Sequence, residues 1–178
     1  RALGFESLNI DLIYGLPKQT VAAFVENLTR VIELRPERVA VYSYAHVPWM
    51  KANQRKTEEA LLPSPATKLR LFAEARRAFV AAGYDPIGMD HFALPDDELA
   101  VAARAGKLHR NFMGYTTKPA PDMIGLGLSA IGDVGAAYFQ NHKVLPKYEA
   151  TVAAGELPTL RGVLLSPSDR LRRDVIQS

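Results

Sequence analysis

Apolar positions along the chain fall into two kinds of pattern: short continuous runs and sets at helical spacing. Leu8–Tyr14 (LNIDLIY) is a run rich in β-formers, closed by Gly15, Leu16 and Pro17. It predicts a strand covered on both faces, with one acid, Asp11, inside it. From Thr20 to Leu34, the residues Phe24, Val25, Leu28, Val31 and Ile32 recur at helical spacing, and Pro36 follows the end. Arg38–Tyr44 (RVAVYSY) predicts a second buried strand. Ser64-Pro65 has the order of an N-cap followed by Pro at the first helical position. The helix it opens runs to Ala82, with Leu69, Phe72, Ala73 and Val80 as its apolar stripe and Gly83 as its stop. Asp85–Asp90 (DPIGMD) predicts a weaker strand. Strand, helix, strand, helix, strand at this spacing predicts βα units on a parallel sheet. The longest irregular stretch, Ala45–Pro63, has the length of a lid or insert.

After Phe92 the rhythm changes. A short helix over Asp97–Ala105 is closed by Gly106, and strands are expected over Arg110–Thr117 and Met123–Ala130. A helix around Pro146–Ala154, a strand near Leu160–Leu165 and a helix opened by Ser166, Pro167 and Asp169 complete the chain. The expected organisation is therefore residues 1–92 as a βα portion and residues 93–178 as a smaller α+β region.

Composition narrows the class. The 178 residues are 48% apolar and 23% charged, which argues against disorder, collagen-like sequence and coiled coil. No apolar run approaches the roughly 18 residues that span a bilayer. A net charge of +3 without a basic stripe suits an anionic ligand better than nucleic acid. The absence of cysteine excludes disulfides, thiolate zinc sites, cysteine nucleophiles and cysteine-ligated iron–sulfur clusters within these residues. The chain opens on Arg1 rather than Met and stops inside a helical pattern, so a piece of a longer polypeptide is expected.

Candidate chemistry is sparse. A carboxylate buried mid-strand, as Asp11 is expected to be, costs several kcal/mol unless paired, so it is either a ligand contact or the partner of a neighbouring Arg. Tyr44, Ala45 and His46 close the next strand at the end where parallel sheets hold ligands, and Ala45 would let a flat ligand approach the backbone. Gly125–Ala130 (GLGLSA) fits the letters of a dinucleotide fingerprint, but it lacks a preceding long strand, an uninterrupted helix and the acid about 20 residues on. A turn near a ligand is the better reading. The histidines His46, His91, His109 and His142 are scattered without metal spacing. Asp90-His91 reads as a structural pair before an acid–base pair. Among the cations of the second half, Arg110 stands out beside Asn111-Phe112, and Arg forks suit carboxylates.

Five segments in this order carry a resemblance: NIDLIYGLPKQT (Asn9–Thr20), YAHVP (Tyr44–Pro48), IGMDHFALPDDELA (Ile87–Ala100), LHRNFMGYTT (Leu108–Thr117) and RRDVI (Arg172–Ile176). Together they resemble the oxygen-independent coproporphyrinogen III oxidases, radical S-adenosylmethionine (SAM) enzymes of haem biosynthesis. The block from Asp90 to Thr117 separates them from the haem-chaperone and methyltransferase-like relatives, which carry Asn-Tyr where this chain has Asp90-His91. The resemblance implies an α/β fold, the second half of a partial TIM-like (β/α) barrel followed by a smaller α+β carboxy-terminal region. It implies SAM and a four-iron, four-sulfur cluster whose cysteine loop lies upstream of Arg1. Asp11 and Ala45 match positions that contact a second SAM, and Ile131 one that contacts the cluster-bound SAM. Phe112 and Met113 match a segment close to the cofactor, where members carry Gln in place of Met113, so a polar contact from that side chain is not expected. No catalytic side chain or metal ligand is assigned within the chain.

The implied reaction is oxidative decarboxylation of two propionates of coproporphyrinogen III to vinyls, giving protoporphyrinogen IX by way of a 5′-deoxyadenosyl radical. Charge and position make Arg110, Arg161 and Arg173 the candidates for holding the substrate's carboxylates. An electron donor to the cluster, a monomeric state, a cytoplasmic location and no nucleic-acid or membrane partner complete the expectation. Two rivals stay open: a haem-carrying or methyl-transferring relative, and a noncatalytic α/β binding module.

Overall fold

The computed structural model describes residues 3–111 and 113–177. Internal contacts divide the chain into two compact units, Arg1–Leu108 and His109–Ser178. The strand His91–Ala93, which spans the Phe92 boundary read from the sequence, and the short helix after it both lie in the first unit, where Phe92, Ala93, Leu99 and Ala100 are buried.

The first unit contains β1 (Asn9–Tyr14), α1 (Val21–Leu34), β2 (Arg38–Ser43), α2 (Pro65–Ala81), β3 (Asp85–Ile87), β4 (His91–Ala93) and α3 (Glu98–Arg104). The helices begin where local chemistry places them. The Thr20, Ser64 and Asp97 side chains accept hydrogen bonds from the amides of Ala23, Thr67 and Leu99 respectively, satisfying donors that the first turn leaves unpaired. The sheet order is β1-β2-β4-β3. β1 and β2 run parallel, as the βα spacing predicts, but β4 is antiparallel to both β2 and β3. The sheet is therefore mixed rather than parallel. DPIGMD is not one strand, because Gly88 at φ +61° turns the chain, and a three-residue link permits only an antiparallel partner.

The core lies between this sheet and α1 and α2. Val39 and Val41 meet Phe24 and Leu28 of α1 and Leu71, Ala75 and Phe79 of α2. The stripe expected on α2 is rotated: Leu69, Ala73 and Val80 are exposed. Apolar residues run along two sides of this helix, and the sheet selects the side carrying Phe79, whose ring stacks on Phe92 at 5.1 Å. β1 also departs from expectation. With helices on one face only, Ile10, Leu12 and Tyr14 turn inward while Asn9, Asp11 and Ile13 are exposed. Asp11 is thus not a buried carboxylate, and the desolvation cost expected for it does not arise.

The second unit contains β5 (His109–Asn111) and β6 (Gly114–Thr116), a hairpin, then β7 (Ile131–Val134), β8 (Ala137–Asn141), α4 (Leu145–Ala153), β9 (Thr159–Leu164) and α5 (Pro167–Gln177). β7, β8 and β9 form an antiparallel sheet in that order. The strand expected over Met123–Ala130 is a loop touching the sheet through a bridge between Met123 and Asp133. Positive φ at Gly127 and Ser129 breaks the extended path, and the buried Asn141 amide donates to the carbonyls of Gly125 and Gly127 to hold it. Gly125 is required here: a Cβ would lie 2.5 Å from the Ile131 carbonyl oxygen. With no strand before these glycines and no helix directly after them among the described residues, the dinucleotide pattern has no structural counterpart. No helix of the described residues is long and apolar enough to cross a membrane.

Candidate active site

On the open face of the first sheet, register aligns Asp11 of β1 with Ala40 of β2 and His91 of β4, and Ile13 with Tyr42 in the next row. Asn9 Nδ2 donates to Asp11 Oδ1 at 2.7 Å, which fixes the carboxylate on that face. His91 Nδ1 lies 2.6 Å from Asp90 Oδ1, and the His91 ring meets Tyr42 edge-on at 6.0 Å. Asp90-His91 is therefore a formed pair. Burial first, then the charges of Asp11 and Asp90, hold the Tyr42 phenol above its ordinary range. The face carries acid and aromatic groups together, a combination suited to a cation or to paired hydroxyls.

Ala45 lies two residues beyond β2 and is exposed. Its carbonyl accepts from Gln54 Nε2 at 3.1 Å, while Gln54 Oε1 accepts from the Val47 amide at 2.6 Å. Lys68 Nζ donates to the Tyr44 carbonyl at 3.0 Å. The segment expected as an irregular lid is thereby folded, and it includes two short 3-10 turns, Ala52–Lys56 and Glu59–Leu61. Asp11 and Ala45 thus belong to one unit, Asp11 on β1 and Ala45 just beyond the end of the neighbouring parallel strand β2. Ile131 and Met113 belong to the other, both exposed. Phe112 lies outside the described residues.

The second unit holds a cavity of about 470 Å³ whose lining includes Arg110, Arg172, Arg173, Asp133, Asp169 and Tyr138. A neighbouring cavity of about 420 Å³ shares Arg110, Asn111 and Asp133 and adds His109 and Lys118. Two of the three expected carboxylate-binding arginines, Arg110 and Arg173, therefore meet in one cavity. Arg161 lines a different, smaller space beside Ile131, where its guanidinium donates to Gln140 Oε1 at 2.9 and 3.2 Å. Arg172 also lines the larger of these two spaces and was not singled out by sequence. Its signal was the spacing from Asp169, three residues earlier on α5 and 3.3 Å away. Hydrogen bonds from the Ser166 hydroxyl and amide, with the Arg172 charge, hold the Asp169 carboxyl below its usual range. The Arg110 guanidinium lies over the Tyr115 ring at 5.4 Å. Among the described residues, no three histidine, aspartate or glutamate side chains are grouped so as to hold a metal ion.

No family model matches the chain. It is 52% identical over all 178 residues to an oxygen-independent coproporphyrinogen III oxidase of Escherichia coli, 48% identical over 176 residues to that of Helicobacter pylori, and 48% identical over 177 residues to that of Thermostichus vulcanus. The resemblance holds along the whole chain. A solved structure described as coproporphyrinogen III oxidase (HemN) from Escherichia coli, a radical SAM enzyme, superposes with a TM-score of 0.91 over 99% of this chain at 52% identity. The chain spans about 39% of the length of the Escherichia coli relative and 41% of that solved structure.

Proposed function

We propose that this chain supplies part of an oxygen-independent coproporphyrinogen III oxidase, which converts two propionate side chains of coproporphyrinogen III to vinyl groups with loss of carbon dioxide. The observation that carries this reading is the meeting of Arg110, Arg172 and Arg173 around one cavity, in a chain similar to such oxidases from end to end. Guanidinium forks bind carboxylates bidentately, and the substrate carries four.

The residues present fit SAM. Asp11 offers an exposed carboxylate to the ribose hydroxyls, Tyr42 a ring beside a sulfonium, and Ala45 an edge without bulk against a flat base. When bound, SAM supplies the hydrogen-atom abstraction. By resemblance, Asp11 and Ala45 are candidates for a second SAM, whereas Ile131 is the candidate for the cluster-bound SAM and Phe112 and Met113 for a segment close to the cofactor. The residues present do not fit a thiolate-ligated four-iron cluster, since the chain has no cysteine, and its ligands and its electron donor belong elsewhere. Within the reading, the arginines orient the propionates while Tyr138, Leu165 and Ile176 keep the cavity wall apolar. A soluble cytoplasmic monomer completes it.

Arg110→Ala and Arg172→Ala, each in the intact protein, should raise the KM for coproporphyrinogen III about tenfold, the loss expected for a charged hydrogen bond. Arg161→Ala should raise it less. Fluorescence of the vinyl product, oxidised to protoporphyrin IX after an anaerobic reaction, reads the effect, and unchanged kinetics in both cavity variants would remove the carboxylate assignment.

A further inference from the structure

The register of the second unit's sheet sets two rows of side chains on one face. Ile131, Gln140 and Arg161 form one row, and Asp133, Tyr138 and Val163 form the next, two residues and so about 7 Å further along the strands. Side-chain contacts follow these rows. Arg161 donates to Gln140 Oε1 in the first, and Arg173 Nη1 lies 3.7 Å from Asp133 Oδ1 in the second. Among the described residues, Tyr138 alone lines both the larger cavity, with Arg110, Arg172 and Arg173, and the smaller one, with Arg161. Tyr138 is half-buried, and among the described residues its hydroxyl makes no hydrogen bond and its ring meets no other aromatic ring.

The smaller space holds about 250 Å³. That is below the roughly 300–1,000 Å³ of pockets that take a whole small ligand, so it suits one arm of a larger molecule. Arg161 gives its Nε and one Nη2 hydrogen to Gln140, and the rest of the guanidinium's N–H donors stay available to such an arm. An arm ending in a carboxylate matches it, and the three arginines of the larger cavity match the same chemistry. A tyrosine ring between two arginine-lined spaces is complementary to a molecule with an aromatic centre and carboxylates on opposite edges. We infer that Tyr138 is a binding residue on which the macrocycle rests, with propionates reaching Arg161 on one side and Arg110, Arg172 and Arg173 on the other. The inference rests on the oxidase reading above and adds to it the pose of the substrate. Each pyrrole of coproporphyrinogen III carries one propionate and is joined to the next by a saturated carbon. One pyrrole can therefore lie against the Tyr138 ring while its neighbours tilt toward the two sides.

The test is anaerobic equilibrium dialysis against the intact protein without SAM, so that nothing turns over. Each sample is oxidised afterwards and read as porphyrin fluorescence. Two ligands are compared: coproporphyrinogen III, and deuteroporphyrinogen IX, which keeps two neighbouring propionates and has hydrogen in place of the other two. Arg161→Ala should weaken coproporphyrinogen III about fivefold and leave deuteroporphyrinogen IX within about twofold, because two propionates are satisfied by the three-arginine side alone. Arg110→Ala should weaken both ligands. Tyr138→Leu should weaken both about tenfold, the scale of a lost ring contact, and Tyr138→Phe, which keeps the ring, should retain most of the affinity. A folding defect does not distinguish the two ligands, so Arg161→Ala decides the matter if the leucine variant does not fold. An Arg161→Ala protein that binds coproporphyrinogen III as its parent does, or loses both ligands equally, overturns the two-sided pose. A folded Tyr138→Leu protein with unchanged affinities overturns the part given to the ring. A wild-type protein that binds neither macrocycle overturns the oxidase reading itself, a different result from the others.

Discussion

At the scale of single residues, the ionic group with most influence on folding is Arg38. Its Nε donates to Asp97 Oδ2 at 2.7 Å and its Nη2 to Glu98 Oε1 at 2.7 Å. Asp97 is almost wholly buried, with 4% of its side chain exposed, and its other oxygen accepts from the Leu99 amide to cap α3. One carboxylate therefore joins β2 to the start of a helix fifty-nine positions later in the chain. Removing Arg38 leaves that carboxylate buried with its cap bond but no counter-charge. Arg38→Met should cost about 2 kcal/mol, below the 3–5 of a fully buried pair because a quarter of the Arg38 side chain reaches water. Asp97→Asn should cost less, since the amide oxygen still caps the helix. The double variant should lose less than the sum of the two single losses. Urea unfolding measures all three, and strict additivity would show that the pair does not couple.

At the scale of elements, the sheet of the second unit depends on a close approach. Gly132 of β7 pairs with Phe139 of β8, and a Cβ on Gly132 would fall inside the space of the Phe139 ring. Gly132→Ala should therefore destabilise the sheet by about 1–3 kcal/mol, the usual cost of overpacking. Phe139→Leu should restore part of that loss in the double variant, read as a thermal midpoint. A Gly132→Ala protein as stable as its parent would show that the ring moves freely. This pairing also shows what the sequence could and could not disclose. Ser64 announces its helix through chemistry that acts within one turn and caps it as expected, and Thr20 and Asp97, read only as the starts of helical stretches, prove to be caps of the same kind. The hairpins β3–β4 and β7–β8 were missed because a strand's partner is chosen across the fold. Glycines at 132 and 135 read as interruptions until Phe139 and a turn at φ +57° give them a place. The candidate site follows the same division. Arg110, Arg161 and Arg173 were singled out from charge and position, whereas the grouping of Arg110 and Arg173 with Arg172 around one cavity, and of Arg161 with another, depends on which side of β9 and α5 faces each space.

At the scale of the whole molecule, stability and ligand chemistry are unevenly distributed. Among the described residues, every buried apolar side chain, from Phe24 to Ala102, lies in the first unit. In the second unit all six residues of β9 are exposed, as are Leu171, Val175 and Ile176 of α5. Few buried apolar contacts and exposed backbone hydrogen bonds mark the low end of local stability. Amides of β2 and α2 should therefore exchange with deuterium at least about a hundredfold more slowly than those of β9 and α5. Uniform exchange along the chain would contradict this difference in burial. The unit that exchanges faster is the one carrying the arginine cavities, which makes exchange a reporter of their occupancy. A ligand that binds only the closed form adds RT ln(1 + [L]/Kd), about 2.7 kcal/mol at a hundredfold excess over Kd. Coproporphyrin III at that excess should slow exchange in Ile131–Asn141 and Thr159–Leu164 about a hundredfold and leave Arg38–Ser43 unchanged. Protection that appears instead on Arg38–Ser43 would move the carboxylate site out of the second unit.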